Sequence, residues 1–196
     1  MNTRSILVLS IFFAIPLFAD NQVQKALTHA AIGERIAAAR YDAFAARADA
    51  DGYLGAAALF RACAKAEHIH ATRFEKLLHD RGLPVPMNEL PKFDVRTTQE
   101  NLETAVSSEQ AERDSSYLYA INVANEANDR DAASLFDVTR DTETEHANLE
   151  AEALRHLDRM RAPREYYVCD HCGYTTEVHL SLCPSCRNHD SPPAVH

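Results

Sequence analysis

The chain has 196 residues, 46% of them hydrophobic and 25% charged, a balance that suits one moderate core with a small appendage and excludes a disordered or fibrous protein. A formal net charge of −9 leaves no basic stripe to neutralise phosphates, which excludes nucleic acid as a partner. Only 5 Gly, no Trp and Ala-rich stretches such as Ala56-Ala57-Ala58 favour an all-α body.

Arg4 precedes an apolar run from Ile6 to Phe18, and Leu17-Phe18-Ala19 before Asp20 has the small final residue of a signal-peptidase site. Residues 1–19 therefore read as a secretory signal peptide, with an uncleaved inner-membrane anchor as the alternative. The run is shorter than the roughly 20 apolar residues of a membrane span, and Pro16 interrupts it, so no stable anchor is expected after processing. A single Arg4 is not a twin-arginine pair, which implies export of the unfolded chain and metal loading in the periplasm.

Four helical segments follow. The first, from about Val23 to Ala50, sets Glu34 and Tyr41 in a buried stripe with Ala30, Ala37, Ala38 and Ala45. The second, from about Tyr53 to Asp80, carries Phe60, Cys63, Glu67, His70 and Phe74 on one face and ends at Gly82. Pro84, Pro86 and Pro91 then predict a long crossover, the connectivity of a ferritin-like bundle. The third helix, from about Thr98 to Asn128, holds Glu109, Glu112 and Tyr117, and the fourth, from about Arg130 to Arg161, holds Glu143 and His146.

The second and fourth helices repeat the pattern Glu-x-x-His 76 residues apart, from 67 to 143 and from 70 to 146. Tyr41 and Tyr117 keep the same offset, whereas Glu34 and Glu109 are 75 apart, a slip that points to a helix irregularity such as a π-bulge. Residues three apart share a helix face, so each motif aims a carboxylate and an imidazole at one point. Buried carboxylates cost several kcal/mol each unless a cation or proton compensates them. Oxygen and imidazole donors suit iron or manganese, and bridging carboxylates hold two such ions about 3.5 to 4 Å apart, a spacing that suits an oxygen species. Glu34, Glu67, His70, Glu109, Glu143 and His146 are the candidate ligands, with Glu112 as an extra one and Tyr41 and Tyr117 as hydrogen-bonding neighbours or core aromatics. Cys63 reads as a small buried hydrophobe, with oxidation near the metals as the alternative, and His29, His68, His79 and His156 read as surface residues.

Near the C-terminus, Cys169-Asp170-His171-Cys172 and Cys183-Pro184-Ser185-Cys186 form two C-x-x-C knuckles in a segment too short to build its own core. They predict a tetrahedral four-thiolate site, with disulfides as the alternative in an exported chain. Zinc would make this a structural ribbon and iron a one-electron carrier.

Taken together, Ile32-Gly33-Glu34 with Tyr41, the Glu67/His70 and Glu143/His146 pairs, the Glu109/Glu112 pair and the Cys-x-x-Cys-Gly-Tyr and Cys-Pro-x-Cys knuckles make the chain resemble a rubrerythrin. The resemblance implies a ferritin-like di-iron four-helix bundle over residues 20–162 and a rubredoxin-like four-cysteine iron domain over 163–196. It implies seven di-iron ligands, namely Glu34, Glu67, His70, Glu109, Glu112, Glu143 and His146, and one iron on Cys169, Cys172, Cys183 and Cys186. It further implies a peroxidase that reduces hydrogen peroxide with electrons from a donor protein. In it Glu112 exchanges with His70 on reduction, and a homodimer brings one subunit's rubredoxin iron near the other's di-iron site. Departures are a slightly short interval from Cys172 to Cys183 and the export signal, since the NAD(P)H-linked donor of the family is cytoplasmic. A ferroxidase or iron store, and a non-catalytic scaffold with a zinc ribbon, are the competing readings.

Overall fold

A computed structural model describes residues 15–85, 89–188 and 193–196, with the side chains of 15–19 left aside. The expected signal peptide thus lies outside the described residues up to position 14, and Pro86 of the crossover lies outside them as well. Helix α1 spans Ile15–Ala50 and so begins well before the expected Val23, running through the expected cleavage site. No helix among the described residues is long and apolar enough to cross a membrane.

Asp51 and Gly52 turn the chain, with Gly52 at φ +77°, and α2 spans Leu54–Asp80 back along α1. Small buried alanines, among them Ala38, Ala45, Ala48, Ala58 and Ala62, line the two helices. The connection ends where Thr97 and Glu100 form a reciprocal capping box and Asp51 accepts hydrogen bonds from the Thr98 N–H (3.0 Å) and hydroxyl (2.8 Å). The first turn of the chain thereby anchors the start of the third helix.

That third helix is not continuous. α3 spans Thr98–Ala111, a π-helical segment spans Glu112–Ser116, and α4 spans Tyr117–Glu126. Tyr117 N–H reaches back to the Glu112 carbonyl, the i→i+5 bond of a π turn, and Arg140 Nε donates to the Arg113 carbonyl at 2.8 Å. The inserted residue accounts for the one-position slip between the two halves: eight residues separate Glu109 from Tyr117, against seven between Glu34 and Tyr41. Asn128, at φ 57°, then turns the chain and Asp129 caps α5, which spans Arg130–Arg155. The expected fourth helix to Arg161 instead tightens into a 3-10 segment at Leu157–Arg161 after His156 leaves helical geometry.

Two apolar layers fill the bundle. One holds Tyr41, Phe44, Phe60 and Leu102 and continues into Met160, Tyr166 and Val168, and the other holds Leu27, Phe74, Leu78, Tyr117 and Phe136. The C-terminal segment forms a two-stranded antiparallel hairpin, β1 (Tyr167–Val168) with β2 (Thr175–Thr176), and Tyr166 pairs with Val195. It packs on the bundle of its own chain, where Lys65 pairs with Asp170 at 2.6 Å. A Cβ at Gly55 would meet the Ala162 carbonyl oxygen at 2.7 Å and that of Met160 at 3.1 Å. Gly55→Ala should therefore destabilise the fold by about 1–3 kcal/mol through overpacking against backbone, measured by denaturant unfolding.

Candidate metal centre

The two Glu-x-x-His turns face each other across the bundle, Glu67 and His70 from α2, Glu143 and His146 from α5. His70 Nδ1 lies 2.7 Å from Glu67 Oε2 and 3.2 Å from Glu143 Oε1. His146 Nδ1 lies 3.1 Å from Glu67 Oε1 and 3.0 Å from Glu143 Oε2. Each of these carboxylates offers one oxygen to each imidazole, the arrangement of two bridges between two ions. Glu34 of α1 joins Glu67, His70 and Glu143 in one group of ligand atoms within 4.8 Å, and Glu109 of α3 joins Glu67, Glu143 and His146 in the other. All six residues are at most 2% exposed.

Their chemistry fits metal. Glu34 Oε2, Glu67 Oε1, Glu109 Oε2, both Glu143 oxygens and His146 Nδ1 make no well-aligned hydrogen bond, although they converge on one small volume. Donors that crowd together without pairing are arranged around a cation, and carboxylate with imidazole suits iron or manganese. Burial, then the charges of Glu143, Glu112 and Glu67, push Glu34 well above the usual carboxylate range, and Glu109 rises likewise. Glu67 is held below that range, because His146 and His70 together outweigh its desolvation. Desolvation lowers His70, but Glu143 and Glu67 reverse this and bring it up to about 9. Metal would take over the compensating role that these protons play.

The two tyrosines serve opposite ends in a symmetric way. Tyr41 donates its hydroxyl hydrogen to Glu109, and Tyr117 donates to Glu34, so each phenol restrains the terminal carboxylate of one position. Glu112 does not join either ligand group. The π turn that it heads leaves it half-buried, lining a cavity of about 450 Å³ together with Glu34, and this departs from the expected seven-ligand set. Cys63 is fully buried in the apolar layer around Phe60, and desolvation raises its thiol well above the ordinary value. One buried acid is absent from the sequence-derived ligand set: Glu150 is fully buried, two turns beyond Glu143 on the same face of α5. The seven-residue spacing was its available signal.

Four thiols gather at the hairpin. Cys169 Sγ lies 3.7 Å from Cys186 Sγ and Cys172 Sγ 3.5 Å from Cys183 Sγ. These separations are far from a disulfide and near the roughly 3.8 Å edge of a tetrahedron with 2.3 Å metal–sulfur bonds. Each knuckle closes on a left-handed residue, Gly173 at φ +83° and Arg187 at φ 61°. The hairpin also reaches the bundle site. His70 Nε2 lies 2.8 Å from the Cys172 carbonyl oxygen and 2.9 Å from the Thr142 hydroxyl, and His146 Nε2 lies 3.1 Å from the Thr175 hydroxyl. Donation from His70 Nε2–H to the carbonyl leaves Nδ1 free as a lone-pair donor to metal.

Glu143→Ala should abolish both bundle metals because a bridge is lost, whereas Glu34→Ala should remove mainly one; metal analysis of purified protein tests the difference. The metal-free protein should also melt at lower temperature as pH rises from 4.5 towards about 8. Across that window Glu112, raised to about 8, and His70, raised to about 9, bind protons more tightly folded than unfolded, so the native state loses its advantage as they leave. Bound metal should flatten the dependence, which thermal melts at a series of pH values would show.

A sequence model of the family described as rubrerythrin matches residues 25–154. The chain is 30% identical to a rubrerythrin of Porphyromonas gingivalis, over 86% of both chains, and 29% identical to a rubrerythrin of Clostridium perfringens, over 79% of this chain and 84% of that one. Among solved structures, nigerythrin in a partially reduced state superposes with a TM-score of 0.79 at 29% identity, covering 88% of this chain and 86% of nigerythrin. A bacterioferritin of Mycobacterium tuberculosis, at 20% identity and a TM-score of 0.65 over 71% of this chain and 87% of that one, shares the fold. With two carboxylate-bridged positions in a ferritin-like bundle and a rubredoxin-like knuckle behind them, the chain belongs to the rubrerythrin family and is a di-iron protein of that type.

Proposed function

We propose that the protein is a peroxide reductase, taking electrons from a donor protein through an iron-loaded four-cysteine centre and reducing hydrogen peroxide to water at the dinuclear site. The observation that carries this reading is the contact of the hairpin with both ligand imidazoles, through the Cys172 carbonyl and the Thr175 hydroxyl. It gives a covalent and hydrogen-bonded path from a cysteine sulfur to a metal ligand with no solvent gap. A structural zinc ribbon would have no use for that path.

Bound iron supplies the electrons that break the O–O bond. The chain's residues supply access and protons. The cavity beside Glu34 is lined by Ala30, Gly33, Tyr117 and Phe136 and leads to Glu112. Burial first, then the neighbouring charges of Glu143 and Glu67, push the Glu112 carboxyl up to about 8, so it holds a proton at neutral pH where peroxide enters. Peroxide reduction consumes two protons, and a carboxylic acid at the cavity wall delivers one. The π turn sets Glu112 in the cavity wall beside Glu34, from where its carboxyl would approach the metals. Export ahead of residue 20 would give the donor protein a periplasmic location.

Reduced protein mixed with hydrogen peroxide in a stopped-flow instrument should oxidise much faster than with dioxygen; equal or reversed rates would overturn the peroxidase reading. Iron retention well beyond about three atoms per chain would indicate a store instead. Glu112→Ala should keep its metals while losing about ten- to a hundredfold in peroxide turnover, and unchanged turnover would remove Glu112 from the reaction.

A further inference from the structure

The cavity beside Glu34 is far larger than hydrogen peroxide needs. Its volume of about 450 Å³ falls within the roughly 300–1,000 Å³ of sites that take small organic ligands, whereas a water molecule, close to hydrogen peroxide in size, has a share of about 30 Å³ in the liquid. Buried Glu34, with Oε2 left without a well-aligned hydrogen bond, marks the inner end, and exposed Lys25 and His29 mark the mouth. The walls between are largely apolar. Ala26, Ala30 and Gly33 follow the i, i+4, i+7 spacing of one face of α1, and Tyr117, Ala120 and Phe136 line the cavity from α4 and α5. The rings of Phe74, Tyr117 and Phe136 pack on one another with centroids 5.4 to 6.2 Å apart, so this wall is preformed. Gly33 carries the argument further. It lies inside α1, where glycine is disfavoured against alanine, yet a Cβ on it would meet nothing within 4 Å. Contact with the rest of the chain therefore does not require a glycine here. What its missing side chain leaves is room in the cavity, one residue before Glu34.

We infer that this cavity seats an organic hydroperoxide, its apolar body between α1 and α4 and its peroxide group directed to Glu34 and Glu112. The inference rests on the peroxidase reading and names a substrate class for it. The O–O bond breaks, the terminal oxygen leaves as water and the oxygen on carbon stays as an alcohol. Both electrons come from the donor protein and two protons come from solvent, so one hydroperoxide gives one alcohol and one water. Hydrogen peroxide enters by the same cavity but gains nothing from its walls. An alkyl or aryl body removes apolar surface from water against Ala26, Ala30, Ala120 and Phe136, which strengthens binding of the larger substrate. Gly33 and Ala26 are the specificity-determining positions, because they set the width of the cavity next to Glu34 and two turns further out.

Stopped-flow mixing of the reduced, iron-loaded full chain with cumene hydroperoxide should show oxidation whose rate saturates with peroxide concentration, and one 2-phenyl-2-propanol should form for every two electrons lost. Gly33→Leu and Ala26→Leu should each lower the ratio of the rate constants for cumene hydroperoxide and hydrogen peroxide about tenfold or more, because the new side chain takes the room of the apolar body. Ala26 lies more than two turns from Glu34, so its substitution acts through the space in the cavity, and iron analysis of both variants checks that the metals are kept. Calorimetric titration of the full chain with 2-phenyl-2-propanol reads binding without turnover: the unaltered protein should bind it, and each variant should bind it about tenfold more weakly or worse. Rapid oxidation by hydrogen peroxide with none by cumene hydroperoxide overturns the inference alone, as does an unchanged ratio in both variants or absent binding of the alcohol. Inertness towards both peroxides overturns the peroxidase reading as well. If Gly33→Leu does not fold, Ala26→Leu decides.

Discussion

Five fully buried carboxylates in one small bundle are the constraint on which everything else depends. Glu34, Glu67, Glu109, Glu143 and Glu150 sit between two apolar layers, and His70 and His146 alone do not balance them. Each carboxylate left charged and alone would cost several kcal/mol, so the native state must hold either protons or cations at this level. Metal binding and folding are therefore coupled, and without metal, burial raises the proton affinity of Glu34, Glu109 and Glu150. The apolar layers above and below keep water from solvating these charges and so keep the ligands aimed inward.

The bundle was legible in the sequence because its ligands obey helical spacing. Glu67 with His70 and Glu143 with His146 stand out as a repeat, and the different offsets of Glu109 and Tyr117 pointed to the π turn. Other features were hidden for physical reasons. Glu150 is one of several acids near the end of α5, among Glu145 and Glu152, and only its burial distinguishes it. The terminal segments misled because helix ends depend on tertiary contacts: α1 extends before Val23, and α5 stops at Arg155 where the chain must turn towards the hairpin. The docking of the hairpin on both histidines links positions about 100 residues apart and leaves no periodic trace.

The twofold pattern is broken on both sides of the metals, and two of the breaks are acids. Glu112 belongs to the open side, in the cavity wall with Glu34. Glu150 belongs to the closed side, among Tyr41 and the fully buried Cys63. A symmetric site would give both metal positions the same surroundings. Here the open side carries a half-buried acid on a π turn, and the closed side carries a fully buried one packed in the core.

The knuckle and the bundle site share a single backbone element, which prevents their being tuned separately. Gly173 closes the first knuckle in the left-handed region, and a Cβ on it would fall 2.5 Å from His70 Nε2. Glycine is thus required twice at this position, once by its φ and once by the imidazole behind it. Because the same turn presents the Cys172 carbonyl to His70, any change in how the thiols close around their metal moves the acceptor that sets the histidine's tautomer. The basicity of a bundle ligand therefore depends on the geometry of the four-cysteine centre, and the two centres are coupled through one hydrogen bond.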